Sequence, residues 1–247
     1  MKTICITGAS SGIGWATAKR LAGQHRLVLC GRREERLREL QQALGATQTH
    51  LLTFDVQNKT EVFSAFEALP DDWKSIDVLI NNAGNAHGLA PIDSAELSDF
   101  DTMLQTNVNG VLYVTRAALP LLKRSMAGHI VNISSIAGKE AYANGNVYCA
   151  SKAAVESLSQ SMRIDLAPYG IKVTNIAPGA VETEFSVVRF KGDQDKADRV
   201  YQGFQPLVAD DIAEAIAFSV EQPDHVQIAD MTIFPKAQYN ATGIVRS

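Results

Sequence analysis

The sequence lacks the features that would place the protein in a membrane or outside the cell. No apolar run approaches the roughly 20 residues that a membrane-spanning helix needs, and the first residues do not have the pattern of a secretory signal. It contains only three cysteines, Cys5, Cys30 and Cys149, which are far apart and form no CxxC pair. This is typical of reduced thiols in a reducing compartment, so we expect a cytoplasmic protein.

The sequence also lacks an excess of positive charge. Its 23 basic and 27 acidic side chains leave a net charge of −4. This balance argues against nucleic acid or an anionic membrane as the main partner. The five histidines show no metal-ligand spacing, so we expect no metal.

What the sequence does contain is an alternation of strand-like and helix-like stretches, without repeats or linkers. Nearly continuous apolar runs are typical of a parallel sheet that is covered on both faces. We therefore predict a single-domain α/β protein over residues 1–247, a doubly wound Rossmann fold with about seven parallel strands. The predicted strands are 3–7, 26–30, 50–54, 77–81, 129–134, 172–177 and 229–234, and the helical stretches are 13–22, 33–44, 59–69, 97–125, 147–167 and 209–222.

A glycine-rich turn joins the first predicted strand to the first helix. In "ITGASSGIG" (6–14), Gly8, Gly12 and Gly14 follow a G-x-x-x-G-x-G spacing. Glycines let a backbone approach a pyrophosphate closely, and the helix N-terminus offers free N–H groups. An ordinary glycine-rich turn is the alternative, but the strand before it and the helix after it favour dinucleotide binding.

The end of the second strand favours NADP over NAD. Enzymes that use NAD usually carry an acidic residue there for the ribose hydroxyls, whereas this chain has Gly31, Arg32 and Arg33. Guanidinium groups suit a 2′-phosphate. Positive charge at a helix N-terminus also opposes the helix dipole, which a bound anion would explain. The alternative is a solvated helix start.

A tyrosine and a lysine lie four residues apart in "NVYCASK". On a helix, Tyr148 and Lys152 share one face, and an ammonium close to a phenol lowers its pKa from about 10. Tyr148 then suits general acid/base chemistry. Tyr and Lys often meet at this spacing, but Ser134 and Ser135 end the preceding strand, where parallel sheets hold their sites. Ser135 is placed there to stabilise charge on a carbonyl oxygen.

These motifs, in this order, resemble the short-chain dehydrogenase/reductase family over essentially the whole chain. The resemblance implies hydride transfer between the cofactor and a carbonyl or alcohol carbon, with no metal. It implies that Ser135 orients the carbonyl, Tyr148 donates the proton, Lys152 lowers the Tyr148 pKa and binds the nicotinamide ribose, and Asn107 holds a proton-relay water. The matching motifs are "TGASSGIG" (7–14), "DV" (55–56), "NNAG" (81–84), "QTNVNG" around Asn107, "NISS" (132–135), "YCASK" (148–152) and "PGAVET" (178–183).

The resemblance further implies the residues that contact the cofactor. Asp55 and Val56 match the adenine contact, and the segment 178–183 matches the nicotinamide side. The expected set is Gly8, Ser10, Ser11, Gly12, Ile13, Gly14, Arg32, Arg33, Asp55, Val56, Asn82, Ala83, Gly84, Tyr148, Lys152, Pro178, Gly179, Val181 and Thr183.

The segment "EFSVVRFKGDQDKADRVY" (184–201) indicates which class of substrate the protein uses. It follows the nicotinamide side, so we predict a substrate lid over about 184–205 in which Phe185, Val188 and Phe190 face inward. The segment resembles that of NADP-dependent 3-hydroxy acid dehydrogenases, which act on serine, allo-threonine, 3-hydroxypropionate and malonic semialdehyde. We expect Ser135, Tyr148 and Arg189 to contact the substrate, with Arg189 binding a carboxylate; a surface arginine on a mobile lid is the alternative for Arg189.

Three other functions remain compatible with the motifs. A 3-oxoacyl-[acyl-carrier-protein] reductase would need a basic docking patch, which Lys123 and Arg124 do not convincingly make, and a broad carbonyl reductase is a further alternative. A non-catalytic NADP-binding redox sensor commonly lacks the Tyr or the Lys, which this chain has. The resemblance also implies a homodimer or homotetramer that uses the helices near 97–125 and 147–167.

Overall fold

The computed structural model describes residues 1–247, apart from the side chain of Thr47. The strands are β1 (Thr3–Thr7), β2 (Arg26–Gly31), β3 (Thr49–Thr53), β4 (Val78–Asn81), β5 (His129–Ile133), β6 (Lys172–Pro178), β7 (Val181–Glu182), β8 (Leu207–Val208) and β9 (Asp230–Ile233). Seven parallel strands form one sheet in the order β3-β2-β1-β4-β5-β6-β9, and β7 and β8 form a separate two-stranded ladder.

The strand order places a switch point in the middle of the sheet. From β1 the chain first builds outward to β2 and β3, and then returns to place β4 on the other side of β1. In open parallel sheets, ligands bind in the crevice outside the carboxyl ends of the strands at such a point. The loops after β1 and β4 therefore form the middle of the expected site.

Helices cover both faces of the sheet, which confirms the predicted doubly wound α/β fold. On one face, α1, α2 and α9 pack against Ile4 and Ile6, and on the other, α3 and α5 pack against Cys5 and Leu79. The helices are α1 (Gly12–Leu21), α2 (Glu34–Leu44), α3 (Lys59–Glu67), α4 (Leu97–Leu104), α5 (Gly110–Leu122), α6 (Asn146–Leu166), α7 (Glu184–Arg189), α8 (Gln194–Arg199) and α9 (Ala209–Glu221).

A buried chain of side-chain amides and hydroxyls joins the central strands to two helices. Asn81 of β4 donates from Nδ2 to Asn132 Oδ1 of β5 and to Thr115 of α5, both at 2.9 Å. Asn132 donates in turn to Ser159 of α6 at 2.9 Å. Since a buried polar group costs free energy unless it is hydrogen-bonded, these bonds specify how β4, β5, α5 and α6 fit together.

The cysteines are closer in the fold than in the sequence. Cys5 of β1 and Cys30 of β2 are fully buried, and their Sγ atoms lie 3.4 Å apart as free thiols. Both side chains point to the same face of the sheet and pack in one hydrophobic cluster. Neighbouring strands therefore create a thiol pair between residues that are far apart in sequence.

The helical region predicted over 97–125 contains an irregular turn. The chain leaves α4, makes a π-helical turn over Gln105–Asn109, and continues as α5. The π turn carries Asn107, which is buried at the centre of the expected site. π-helical turns inside α-helices often occur at functional sites.

Two short helices, α7 and α8, occupy the segment in which the lid was predicted. Two positive backbone φ angles, at Lys191 (54°) and Gly192 (92°), turn the chain between them.

Across the described residues, no helix combines the length and the apolar character that would let it cross a membrane.

Candidate active site

The glycine-rich turn after β1 has the backbone that only glycine adopts easily. Gly8 and Gly12 have φ angles of 68° and 51°, in the left-handed region. At Gly14, an added Cβ would lie 2.4 Å from the carbonyl oxygen of Gly8 and 2.5 Å from Asn82 Nδ2. The turn is therefore folded tightly onto the start of α1, as a phosphate-binding backbone requires.

The loop after β4 is fastened to this turn. Asn82 Nδ2 donates to the Thr7 carbonyl at 2.9 Å, and the backbone N–H groups of Asn82 and Ala83 both donate to Thr7 Oγ1 at 3.0 Å. Thr183 also lies within ordinary contact distance of the turn, since a Cβ on Gly12 would lie 3.5 Å from its Cβ. Three predicted cofactor segments therefore meet at one place, and their close packing depends on glycines that lack side chains.

The two arginines after β2 lie beside this turn. Arg33 donates to Ser10, from Nε to Oγ at 3.3 Å and from Nη2 to the carbonyl at 3.4 Å. Its Nη1 lies 3.1 Å from Glu184 Oε2. Arg32 Nη1 lies 3.2 Å from Asp55 Oδ2, and its side chain is 64% exposed. Both guanidinium groups are thus accessible to an anion at the adenosine end of the expected cofactor site.

Ser135 and Tyr148 lie on two neighbouring elements, the turn after β5 and helix α6. Gly138 lets these two elements pack closely. Ser135 caps a 3₁₀ turn at Ile136–Gly138 directly after β5, and Tyr148 lies in the first turn of α6. An added Cβ on Gly138 would lie 2.6 Å from the Lys152 carbonyl oxygen, so this turn packs directly on the helix backbone. Tyr148 is only 8% exposed, and its ring centroid lies 5.7 Å from that of Phe185.

Lys152 and Asn107 reach the same point from opposite sides. A Cβ added to Gly84 would lie 3.2 Å from Lys152 Nζ and 3.3 Å from Asn107 Oδ1. The Asn107 amide exchanges two 2.8 Å hydrogen bonds with the backbone of Asn85 and donates to Ser151 Oγ at 3.0 Å. The structure therefore brings together all four residues predicted as catalytic.

Burial shifts the pKa of both titratable groups of this set towards the neutral form. Burial raises the pKa of Tyr148, while the Ser135 hydroxyl and the Arg189 charge oppose the rise. Burial lowers the pKa of Lys152 to about 8. Lys152 Nζ donates to the Ile133 carbonyl at 2.9 Å. The lowering of the Tyr148 pKa by Lys152 stays a prediction.

Arg189, in the predicted lid segment, lies beside Tyr148. Its guanidinium carbon lies 5.4 Å from the ring centroid of Tyr148 and 5.6 Å from that of Tyr142. Its backbone carbonyl accepts from the Gly88 N–H at 2.9 Å. Arg189 and Tyr148 line a pocket of about 200 Å³ between the lid and α4.

The lid departs from its prediction at one position. Val188 is 44% exposed, although it was expected to face inward. The six-residue helix α7 presents one side to the protein, and Phe185 and Arg189, four residues apart, occupy that side. Just after α7, an ion pair of 2.9 Å joins Lys191 to Asp99.

The remaining predicted residues line the same edge of the sheet. Pro178 ends β6 and accepts a weak hydrogen bond from Ser135 Oγ at 3.5 Å, and Val56 lies against Gly110 of α5.

Sequence reasoning missed Asn85, Ser151 and Glu184, since each acts through a contact between distant segments. Over the part of the chain that the structure describes, no three His, Cys, Asp or Glu side chains gather as a metal site.

A doubly wound sheet with Ser, Tyr, Lys and Asn side chains beside a glycine-rich turn defines a class of protein, the dinucleotide-dependent α/β oxidoreductases. Comparison with known proteins narrows this class. The family model for the short chain dehydrogenase matches residues 2–194. The chain belongs to the short-chain dehydrogenase family and is an enzyme that acts on CH–OH groups.

Individual relatives are similar over nearly the whole chain. The NADP-dependent 3-hydroxy acid dehydrogenase of Escherichia coli (strain K12) is 42% identical over 237 residues, 95% of each chain. Serine 3-dehydrogenase of Agrobacterium fabrum is 42% identical over 237 residues, 96% of this chain and 94% of the relative. A solved structure of the closed form of a serine dehydrogenase complexed with NADP⁺ has a TM-score of 0.94 at 41% identity and covers 99% of both chains.

The burial of Lys152 predicts how stability depends on pH. Between pH 8 and the ordinary lysine value of 10.5, the unfolded chain holds a proton that the folded chain has lost, so folding becomes more favourable as pH rises. Lys152→Met removes this contribution. We expect the variant to gain stability relative to wild type at pH 7, and to lose about 3 kcal/mol of that gain by pH 10.5.

Urea unfolding of both proteins across this range measures the difference. Lys19→Met, at an exposed lysine of α1, is the matched control and leaves the pH dependence unchanged. A constant difference between wild type and Lys152→Met from pH 7 to 10.5 would contradict the expected titration.

Proposed function

We propose that this enzyme is an NADP-dependent dehydrogenase of small 3-hydroxy acids such as serine, allo-threonine and 3-hydroxypropionate, with malonic semialdehyde as a substrate in the reverse direction. The observation that carries the proposal is the lid arginine, Arg189, beside Tyr148 in a small pocket. Relatives at 42% identity that are named for 3-hydroxy acids and for serine support it.

The residues fit NADP as the cofactor. The glycine turn has Gly8 and Gly12 in the left-handed region directly before α1, as a phosphate-binding backbone requires, and Arg32 and Arg33 present guanidinium groups where the adenosine 2′-phosphate is expected. The name of the Escherichia coli relative and the NADP⁺ complex of the similar serine dehydrogenase support this choice. When bound, the nicotinamide supplies the acceptor or donor of the hydride.

The chain's own residues then handle the substrate oxygen and its proton. The Ser135 hydroxyl binds that oxygen. The neutral Tyr148 hydroxyl donates its proton to the oxygen during reduction, and in the reverse direction the Tyr148 phenolate takes the substrate's hydroxyl proton. The Tyr148 and Lys152 side chains are buried, and Phe185 covers the tyrosine ring, so bulk water is excluded from the reacting atoms. Asn107 fixes the backbone of Asn85 against α6 and holds the floor of the site in place.

The size of the pocket and its arginine favour a small acid. The lining carries the acidic side chains Glu96 and Asp99 as well as the basic Arg189 and Lys191, and Asp99 is paired with Lys191. A volume of about 200 Å³ is below the roughly 300–1,000 Å³ of pockets that hold drug-sized ligands. A carboxylate that enters it needs a cationic partner, and the Arg189 guanidinium lies at the tyrosine end of this pocket. A carrier-bound acyl chain would instead need a long apolar trough.

A substrate and cofactor panel tests the proposal directly. We expect initial rates with NADP⁺ to exceed those with NAD⁺ for at least one of L-serine, D-serine, L-allo-threonine, 3-hydroxypropionate and 3-hydroxyisobutyrate. Tyr148→Phe removes the acid/base group and lowers the rate by about 10²- to 10⁴-fold. Preferred reduction of acetoacetyl thioesters favours an acyl reductase, and turnover of none of these compounds would overturn the proposed substrate class.

Replacement of the lid arginine tests carboxylate binding. Arg189→Ala loses a charged hydrogen bond to the substrate, so we expect KM for the hydroxy acid to rise about 10- to 100-fold, whereas Arg189→Lys retains part of the affinity. An uncharged alcohol of similar size is the matched control substrate, and we expect its KM to change little. An equal loss for both substrates would show that Arg189 serves Tyr148 or the lid instead of a carboxylate.

We also propose that the enzyme works in the cytoplasm as a homodimer or homotetramer. Three free thiols support a reducing compartment. Helices α4, α5 and α6 expose large apolar side chains, with Leu97 at 74%, Ile164 at 75%, and Leu104 and Leu112 also exposed. Such exposed apolar faces are typical of interfaces between copies of a chain.

Light scattering after size exclusion tests the assembly. We expect a mass of two or four chains, and Leu97→Glu shifts the protein towards smaller species because it places a charge in the interface. Met126→Glu is the control, since Met126 is 98% exposed and lies outside these helices. A monomer at every protein concentration would contradict the proposal.

A further inference from the structure

One ion pair joins the lid to the arginines that are expected to bind the cofactor phosphate. Glu184 is the first residue of α7, and its Oε2 lies 3.1 Å from Arg33 Nη1. Thr183 caps α7 by accepting the Phe185 N–H at 3.3 Å and also lies against Gly12. The start of the lid helix is therefore held directly beside the glycine-rich turn.

The contacts of Arg33 divide its donors between two partners. Nε and Nη2 point to Ser10, at 3.3 and 3.4 Å, while Nη1 points to Glu184. The contacts to Ser10 are to neutral oxygens, so Glu184 is the partner that neutralises the charge of Arg33. Arg33 and Glu184 are about half exposed, at 48% and 51%, which leaves the guanidinium open to a ligand from solvent.

A 2′-phosphate and the Glu184 carboxylate require the same cation. A phosphate monoester carries about −1.5 to −2 charges at pH 7 and pairs preferentially with guanidinium groups. A carboxylate already on Arg33 repels that charge and reduces the attraction that Arg33 offers. The ribose hydroxyl of NAD carries no charge, so the same carboxylate does not oppose it in this way.

We propose that Glu184 is a specificity-determining residue of the cofactor site, which competes with the 2′-phosphate for Arg33 and so limits the preference for NADP over NAD. This inference rests on the proposed use of NADP. The Glu184 carboxylate makes the preference for NADP over NAD smaller than Arg32 and Arg33 alone would produce. It also assigns to the first turn of the lid a role at the adenosine end of the cofactor, in addition to its place over the substrate pocket.

The test measures binding by isothermal titration calorimetry for wild type and Glu184→Gln. An exposed ion pair of this kind is weak, so we expect Glu184→Gln to bind NADP⁺ and adenosine 2′-monophosphate about two- to fivefold more tightly. Binding of NAD⁺ and adenosine 5′-monophosphate stays unchanged. Unchanged or weaker NADP⁺ binding overturns the proposal, and so does an equal change for both cofactors, which would mark a general effect of the lid.

Two further variants make the result specific. Asp195→Asn removes the same charge from an exposed position of α8. We expect this variant to bind NADP⁺ and NAD⁺ with the same affinities as wild type. In an Arg33→Ala background, Glu184→Gln is expected to lose its effect, because the shared cation is gone. If the effect survives without Arg33, the competition is not for that residue and the proposal fails.

The measurements also separate this inference from the proposed function. If wild type binds NADP⁺ more weakly than NAD⁺, the proposed cofactor is wrong and the inference falls with it. If wild type prefers NADP⁺ and Arg33→Ala removes that preference, the cofactor proposal stands. In that case an unchanged NADP⁺ affinity in Glu184→Gln overturns the role of Glu184 alone.

Discussion

The arrangement of this site depends on a buried pair of amides between two central strands. Asn81 and Asn132 face each other in the register of β4 and β5, and their side chains are hydrogen-bonded at 2.9 Å. Asn81 is the last residue before the loop that contacts the glycine turn, and Asn132 lies just before Ser135. A shift of one residue in either strand would turn the amide of that strand to the opposite face of the sheet and separate the pair. The pair therefore fixes where the cofactor loop and the serine begin relative to one another.

Burial disfavours the charged forms of both Tyr148 and Lys152. Both side chains lie in the interior, and the charged form of each is penalised, so the tyrosine pKa rises and the lysine pKa falls. The cation that opposes the rise at Tyr148 is Arg189, which belongs to the lid. The electrostatic environment of the acid/base group therefore depends on a segment outside the sheet and α6, the elements that position the tyrosine itself.

The sequence was sufficient to predict the features that depend on local pattern. The seven strands, the glycine turn and the helical spacing of Tyr148 and Lys152 all follow from periodicity and short-range spacing, and the sheet agrees with the prediction. The π turn at Gln105–Asn109 was not predicted from spacing, because it depends on bonds from Asn107 to Asn85 and Ser151. The exposure of Val188 was mispredicted for a similar reason, since a short helix is oriented by its tertiary contacts.

The lid and the floor of the site are held by different kinds of interaction. At its two ends, the lid helix is tied by the exposed pair of Glu184 with Arg33 and by the pair of Lys191 with Asp99. The floor is held by buried hydrogen bonds such as those of Asn107. Dissolved ions screen the first kind strongly and the second kind very little. The ionic composition of the surroundings therefore acts on these two ties of the predicted lid more strongly than on the hydrogen bonds of the floor.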